Sequence, residues 1–262
     1  MQTGLYVVGT PIGNLGDFSP RAADVLRNAD LILCEDTRVS KKLMSHFGIT
    51  AELSVFAEHN EQSALDAAIR RINAGAAVAI ITDSGMPGIS DPGFRLVRKC
   101  REENIPVFIA PGPTAAVSAL ILSGFPTDKW TFLGFFKGEK ELALDNRIRH
   151  TLIYYESPNR IMNTIGLCAK IMPERKIAIV REITKIHEET IIGYPADLMS
   201  ITPPLGEIVL AIAPAPALKI TDDEIKSIVE DVVGFGTKDA AVEIAKRAGI
   251  SKKEAYKKVL NK

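Results

Sequence analysis

A parallel α/β sheet, followed by a mixed-sheet α+β domain and a small helical C-terminal appendage, is the architecture this sequence predicts. Three observations carry it. Over the first 110 residues short, wholly apolar runs alternate with helix-period segments; farther on, three strand-like runs follow in succession; and capped helical segments fill the stretch after about Ile220. Alternation of strand and helix specifies parallel pairing, whereas consecutive strands imply antiparallel pairing.

The first strands are expected at Leu5–Val8, Leu31–Cys34, Leu53–Phe56, Ala77–Ile81 and Val107–Ile109. They are nearly all apolar instead of alternating, as strands covered on both faces should be. Between the first two, Ser19 caps a helix with Pro20 at its first position, and Val25, Leu26 and Ala29 form its stripe. A helix near Val39–Phe47 ends at Gly48, a residue suited to a left-handed C-cap. After Pro113 the expected order is helix (Thr114–Leu122), strand (Thr131–Phe135), a polar helical stretch, strand (Leu152–Tyr155) and helix (Asn159–Ile171). Three strands then follow at Lys176–Arg181, Glu189–Gly193 and Glu207–Ala213. Beyond Pro214-Ala215-Pro216, Thr221-x-x-Glu224 and Ser251-x-x-Glu254 read as capping boxes and Thr237 as a cap, which gives three helices. The domains so drawn are 1–112, 113–216 and 217–262.

At 262 residues the chain exceeds one ordinary domain. With 32 basic and 32 acidic side chains its net charge is zero, which excludes coating of nucleic acid by bulk charge; such a partner needs a local patch. Cys34, Cys100 and Cys168 are isolated, with no C-x-x-C spacing, as expected in a reducing cytosol. No basic segment precedes the first apolar run, so no secretory signal is expected. The uncharged window Asn104–Thr127 is broken by Pro111-Gly112-Pro113 and reads as strand, loop and buried helix, not a membrane span. A cytoplasmic protein is the expectation.

Chemistry is expected where strands end. The first loop, Gly9-Thr10-Pro11-Ile12-Gly13-Asn14-Leu15-Gly16-Asp17, lets backbone amides approach a nucleotide-like ligand, although it is not G-x-G-x-x-G. No G-K-[ST] phosphate loop is present, which speaks against NTP hydrolysis. Taken alone, the first loop also has the alternative reading of a Gly/Pro turn at the end of a strand. A second stiff loop, Thr82-Asp83-Ser84-Gly85-Met86-Pro87-Gly88-Ile89-Ser90-Asp91-Pro92-Gly93, follows the fourth strand, and Pro111-Gly112-Pro113-Thr114-Ala115 follows the fifth. Three such loops at the carboxyl edge of one sheet mark a ligand crevice.

With GTPIGNLGD (Gly9–Asp17), CEDTR (Cys34–Arg38), EHNE (Glu58–Glu61), TDSGMPGISDPG (Thr82–Gly93), PGPTA (Pro111–Ala115) and YESPNR (Tyr155–Arg160), the chain resembles the bacterial small-subunit ribosomal RNA methyltransferase I family. These are ribose 2′-O-methyltransferases of the tetrapyrrole-methylase superfamily. The resemblance runs over essentially the whole chain. It implies a two-domain tetrapyrrole-methylase-like fold, S-adenosylmethionine (SAM) bound between the domains, a homodimer, and a cytidine in the decoding region of 16S ribosomal RNA as acceptor. Position by position it implies that Pro11 and Gly13 border the methionine portion or the methyl-transfer face. It further implies that Asp83, Gly85, Met86, Ile89 and Ser90 line the cofactor, that Pro111, Thr114 and Ala115 approach it from the domain junction, and that Tyr155, Leu205 and Gly206 close the pocket.

Transfer to a ribose 2′-OH needs in-line positioning and a base, and no metal is expected. Glu35-Asp36-Thr37-Arg38 ends the second strand: one carboxylate can serve the reaction while the other binds Arg38 or caps the helix, and both can equally form a salt-bridged cap cluster. We take Glu35 with Arg38 as the candidate catalytic pair. His59 can titrate near neutrality, but Asn60 beside it is an equally good helix cap. Arg160, Lys185 and His187 are candidate RNA ligands, with a solvated charge run as the alternative. From Lys238 to Lys262 eight basic residues stand against Asp239, Glu243 and Glu254, a net +5. Ile244–Ser251 also has the look of a helix-turn-helix, so a ligand-sensing DNA regulator competes, as does a superfamily enzyme acting on a tetrapyrrole or a protein side chain. An A-form major groove would not admit such a helix, which favours backbone contact or dimer surface for the tail.

Overall fold

The computed structural model describes residues 1–216, 222–232, 234–248 and 251–260. The expected cap Thr221 and the turn glycine Gly249 lie outside them, as do the side chains of Glu58 and Ile225.

Along the chain run β1 (Gly4–Val8), α1 (Pro20–Arg27), β2 (Leu31–Cys34), α2 (Thr37–His46), β3 (Leu53–Val55), α3 (Glu61–Asn73), β4 (Ala77–Ile80), α4 (Phe94–Glu102), β5 (Val107–Ala110) and α5 (Ala115–Ser123). The five strands form one sheet in the order β3-β2-β4-β1-β5, every pair parallel. Leu5, Ile32, Val78 and Ala79 are completely buried, because helices cover both faces. The central strands β1, β4 and β2 therefore need no polar alternation. Ser19 caps α1 as expected, its hydroxyl accepting from the Ala22 N–H, and Gly48 sits at φ +62 just past α2. Asn60 behaves differently. It stands at the start of α3, but its side chain turns back to accept from the Ala57 N–H and donate to the Val55 carbonyl, so it caps the preceding turn Glu58–Asn60 and not α3.

The second sheet takes β6 (Trp130–Phe135), β7 (Thr151–Glu156), β8 (Ile177–Arg181), β9 (Glu189–Gly193) and β10 (Ile208–Ile212) in the order β6-β7-β10-β8-β9. Only β6 and β7 are parallel; the other pairs are antiparallel. Helices α6 (Glu139–Asp145), α7 (Ile161–Ile171) and α8 (Pro195–Leu198) accompany it. One core packs Leu152, Ile177 and Leu210 against Ile165 and Cys168 of α7; another packs Ile153, Ala178 and Val209 against Ala116, Ala119 and Leu120 of α5. Buried Arg175 ties the sheet's lower edge by donating to the carbonyls of Ala213, Ile148 and His150 at 2.7–3.0 Å. Both sheets belong to one compact unit, Met1–Pro214.

The unit Ala215–Lys262 contains α9 (Asp222–Asp231), α10 (Thr237–Ala248) and α11 (Lys252–Leu260). Val232, Ala241, Ile244 and Ala255 form its small core, and Ser251 caps α11 through the Glu254 N–H. Among the described residues no helix is long and apolar enough to cross a membrane. The uncharged window resolves into β5, a proline loop and α5.

Candidate functional site

The three glycine- and proline-bearing loops meet at the carboxyl edge of the first sheet, and main-chain bonds hold them there. Gly9 N–H donates to the Ala110 carbonyl and Thr10 N–H to the Gly85 carbonyl, both at 2.9 Å. The buried Thr10 hydroxyl donates to the Thr82 carbonyl at 3.0 Å. Gly9 and Gly112 pack so closely that a Cβ on Gly9 would lie 2.6 Å from Gly112 and from Met86 Sδ. Met86 Sδ in turn accepts from the Gly112 N–H at 3.2 Å.

A cleft of about 660 Å³ opens between these loops and the second sheet. The first sheet supplies Ile12, Ser84, Gly85, Met86, Ile89, Ser90, Asp91, Thr114 and Ala115; the second supplies Phe135, Tyr155, Glu156, Pro158, Glu182, Ile183, Lys185 and Gly206–Val209. Of the residues expected at a cofactor, Gly85, Met86, Ile89, Ser90, Thr114, Ala115, Tyr155 and Gly206 come together there. Pro11, Gly13 and Asp83 do not; they line a neighbouring cavity of about 230 Å³. Pro111 and Leu205 line neither; Leu205 is largely exposed, and its carbonyl accepts from Arg181 Nε.

Two cleft residues, Ser90 (φ 62) and Glu182 (φ 51), hold the left-handed backbone that side chains normally avoid. Such conformations gather where a structure must aim groups at a ligand. Glu182 is fixed further by Lys185, whose Nζ bridges the carboxylates of Glu182 and Glu207 at 2.9 Å each. The bond from Lys185 holds the Glu182 carboxyl below its usual range, helped by the Glu207 N–H. Asp91 adds a third carboxyl group to the lining, while Glu156, also in the lining, keeps its buried carboxylate on Thr164, Ser157 and Arg160. That balance suits a guest carrying positive charge beside a flat apolar group.

The acidic pair after β2 divides its work. Asp36 caps α2 and takes Arg38 in a fork, with contacts of 2.6–3.1 Å, which draws its carboxyl down to about 2. Glu35 instead lies 3.4 Å from the buried Thr82 hydroxyl. The expected pairing of Glu35 with Arg38 is therefore not what the structure brings together, because the nearer Asp36 takes the guanidinium. The Asp91 carboxyl rises to about 6 through burial and the nearby negative charge of Glu35. Sequence reasoning singled out the loop that carries Asp91 but not Asp91 itself; Glu182 and Glu207, separated in sequence, left no linear signal.

Arg160 pairs with buried Glu156 at 2.9 Å while its own side chain stays half exposed. His187 and His59 are exposed and line neither cavity.

A family model for tetrapyrrole (corrin/porphyrin) methylases matches residues 4–198. Among curated proteins the chain is similar to a ribosomal RNA small subunit methyltransferase I of Mesorhizobium japonicum, at 36% identity over 99% of this chain and 92% of that one. It is also similar to the proteins of that name from Halalkalibacterium halodurans (38%; 96% and 93%) and Thermotoga maritima (40%; 80% and 97%). Solved structures share the fold. A diphthine synthase superposes with a TM-score of 0.63 at 12% identity, over 80% of this chain and 89% of that one. The uroporphyrin-III-C-methyltransferase of Thermus thermophilus gives 0.57 at 18%, over 81% and 94%.

Proposed function

Because the chain belongs to the tetrapyrrole (corrin/porphyrin) methylase family, and its curated relatives are ribosomal RNA small subunit methyltransferases, we propose that it methylates the ribose 2′-oxygen of a cytidine in 16S ribosomal RNA. One observation carries the reading on the structural side: the cleft closed by loops of both sheets, with the carboxyl groups of Asp91, Glu182 and Glu207 against one lysine. S-adenosylmethionine fits that chemistry. Ile12, Met86, Ile89 and Tyr155 offer apolar surface to a purine, the loops offer backbone groups, and the carboxylates favour a sulfonium and an ammonium.

When bound, S-adenosylmethionine supplies a methyl group on a sulfonium leaving group. Gly85, Met86, Ile89, Ser90, Thr114 and Ala115 would hold it from the first sheet, and Tyr155 and Gly206 from the second. Pro11, Gly13 and Asp83, one wall away, belong to the methyl-transfer side. What the chain contributes beyond binding is orientation, which supplies up to roughly 7–11 kcal/mol in favourable reactions, and a proton acceptor. The acceptor is the Glu35–Thr82–Asp91 group: the Thr82 hydroxyl donates to Glu35, and Asp91, at about 6, is matched to proton transfer near neutral pH. Arg38, tied to Asp36, is left to meet the RNA instead of the reacting oxygen.

Half-exposed Arg160, exposed His187 and the basic tail are the proposed backbone contacts; Lys185, bound to two carboxylates, is better suited to shaping the cleft. We propose a homodimer as the working state. Small subunits lacking the modification, incubated with methyl-labelled S-adenosylmethionine, should acquire label on one cytidine ribose. Label on a base or on protein, or none at all, would overturn the reading.

A further inference from the structure

The smaller cavity stands back to back with the large cleft. Thr10, Pro11 and Gly13 face it while Ile12 between them faces the cleft; Thr82 and Asp83 face it while Ser84, Gly85 and Met86 face the cleft. The bonds from Thr10 to Thr82 and Gly85 weld these two strips into one thin wall. Apolar sides come from Pro11, Leu15, Val39 and Leu43, and exposed Lys42 also lines it.

Two polar groups inside it lack a full set of partners. Buried Ser40 Oγ finds no oxygen or nitrogen partner among the described residues and stands beside the Cys34 thiol, which leaves it room for one more polar contact. Asp83 Oδ1 accepts from the Asp36 N–H at 3.3 Å, and its other oxygen has no hydrogen-bond partner among the described residues. A carboxylate can only accept. It therefore welcomes an exocyclic amine and repels a carbonyl oxygen at the same place.

We infer that this cavity seats the acceptor base, taken out of its stack, and that Asp83 reads the exocyclic amine which distinguishes cytosine from uracil. The inference rests on the proposed ribose methylation and adds to it the residue that selects the base. Enzymes that act on a nucleotide inside folded RNA reach it by extruding it into such a pocket. Pro11 and Leu43 give the ring apolar faces, Asp83 and Ser40 its polar edge, and Lys42 a charge for an adjoining phosphate. Donor and acceptor then meet over the rim of the shared wall, where Thr82 holds Glu35.

The test compares small subunits carrying the target cytidine with subunits reconstituted with uridine in its place. The wild type should prefer cytidine by roughly 10- to 100-fold in single-turnover rate, the discrimination one base-edge contact provides. Asp83→Asn, whose amide can present either a donor or an acceptor, should bring the ratio near one while affinity for S-adenosylhomocysteine, measured by calorimetry, stays within about threefold. Val39→Trp, at a position 40% exposed and so tolerant of size, should fill the cavity and cut methylation by about 100-fold with the same calorimetric affinity. An unchanged cytidine-to-uridine ratio in Asp83→Asn, or undiminished methylation by Val39→Trp, overturns the base pocket while leaving the methyltransferase intact. A wild type that methylates neither substrate overturns the proposed function itself.

Discussion

Gly9 and Gly112 touch main chain to main chain: a Cβ on Gly112 would lie 2.9 Å from Gly9 Cα, and one on Gly9 would lie 2.6 Å from Gly112 N. The first and third loops can converge on the cleft only because neither residue has a side chain. Gly9→Ala should therefore cost about 1–3 kcal/mol, the usual penalty of overpacking, and should push the loops apart. Thermal unfolding and calorimetry with S-adenosylhomocysteine should both register the change. Wild-type values in both would show that the contact is not a constraint.

Asp91 links stability to pH. Its carboxyl is raised from 3.8 to about 6, so the folded state keeps a proton that the unfolded chain has already released. The sign follows: stability falls as pH rises from about 4 to 6, and the cost of the buried charge is fully present above that window. Asp91→Asn should raise stability at pH 7 by on the order of 1–2 kcal/mol, a two-unit shift discounted for partial exposure. It should also depress methylation and remove the rise in rate through pH 6. A pH–rate profile unchanged in the variant would take Asp91 out of the proton path.

Glu35→Gln and Arg38→Ala should separate. The first removes a carboxylate from the Thr82 group and should slow single-turnover methylation by about 100-fold, within the usual range for acid–base groups. The second frees Asp36 on the surface and should act mainly on the apparent affinity for RNA. Equal effects on the chemical step would restore the pair that the sequence suggested.

Glu156 gives a stability contrast. Its buried carboxylate accepts from the Thr164 hydroxyl and the Ser157 N–H at 2.6 Å each, besides pairing with Arg160. Thr164→Val should cost about 1–3 kcal/mol, since it strands a buried acceptor. Arg160→Ala, removing a half-exposed partner, should cost no more than about 1 kcal/mol while weakening RNA binding. The reverse order in thermal melts would make Arg160 a structural residue and remove it from the RNA surface.

Charge reversal of Lys252, Lys253, Lys257 and Lys258 on α11 should weaken binding to the ribosomal subunit several-fold and flatten its salt dependence. Affinity for S-adenosylhomocysteine should stay unchanged, and a loss of both would contradict a backbone-binding role.

Strand Leu31–Cys34 was legible to the residue because burial on both faces leaves a continuous apolar run; Glu189–Gly193 matches too, although it is an edge strand with no buried residue. Helix α4 went unremarked because its buried stripe is only Leu96 and Cys100, set among five basic and acidic residues just after a proline-glycine loop. The cleft's first-sheet wall was legible as contiguous loops. Its opposite wall was not: Glu182, Lys185 and Glu207 become neighbours only through the pairing of β8 with β10. Nor can adjacency say which of Glu35 and Asp36 caps α2, since that is settled by the direction in which the chain enters the helix.

Strand β10 occupies the middle of its sheet although it is the last of the ten to be synthesised. Until residue 212 has left the ribosome, β7 and β8 each present an unsated edge, and Ile208 and Val209 are missing from the cleft. A chain cut before β10 thus leaves two strand edges open, and open strand edges recruit other chains. One short segment, Ile208–Ile212, therefore closes both edges and completes the cleft wall together.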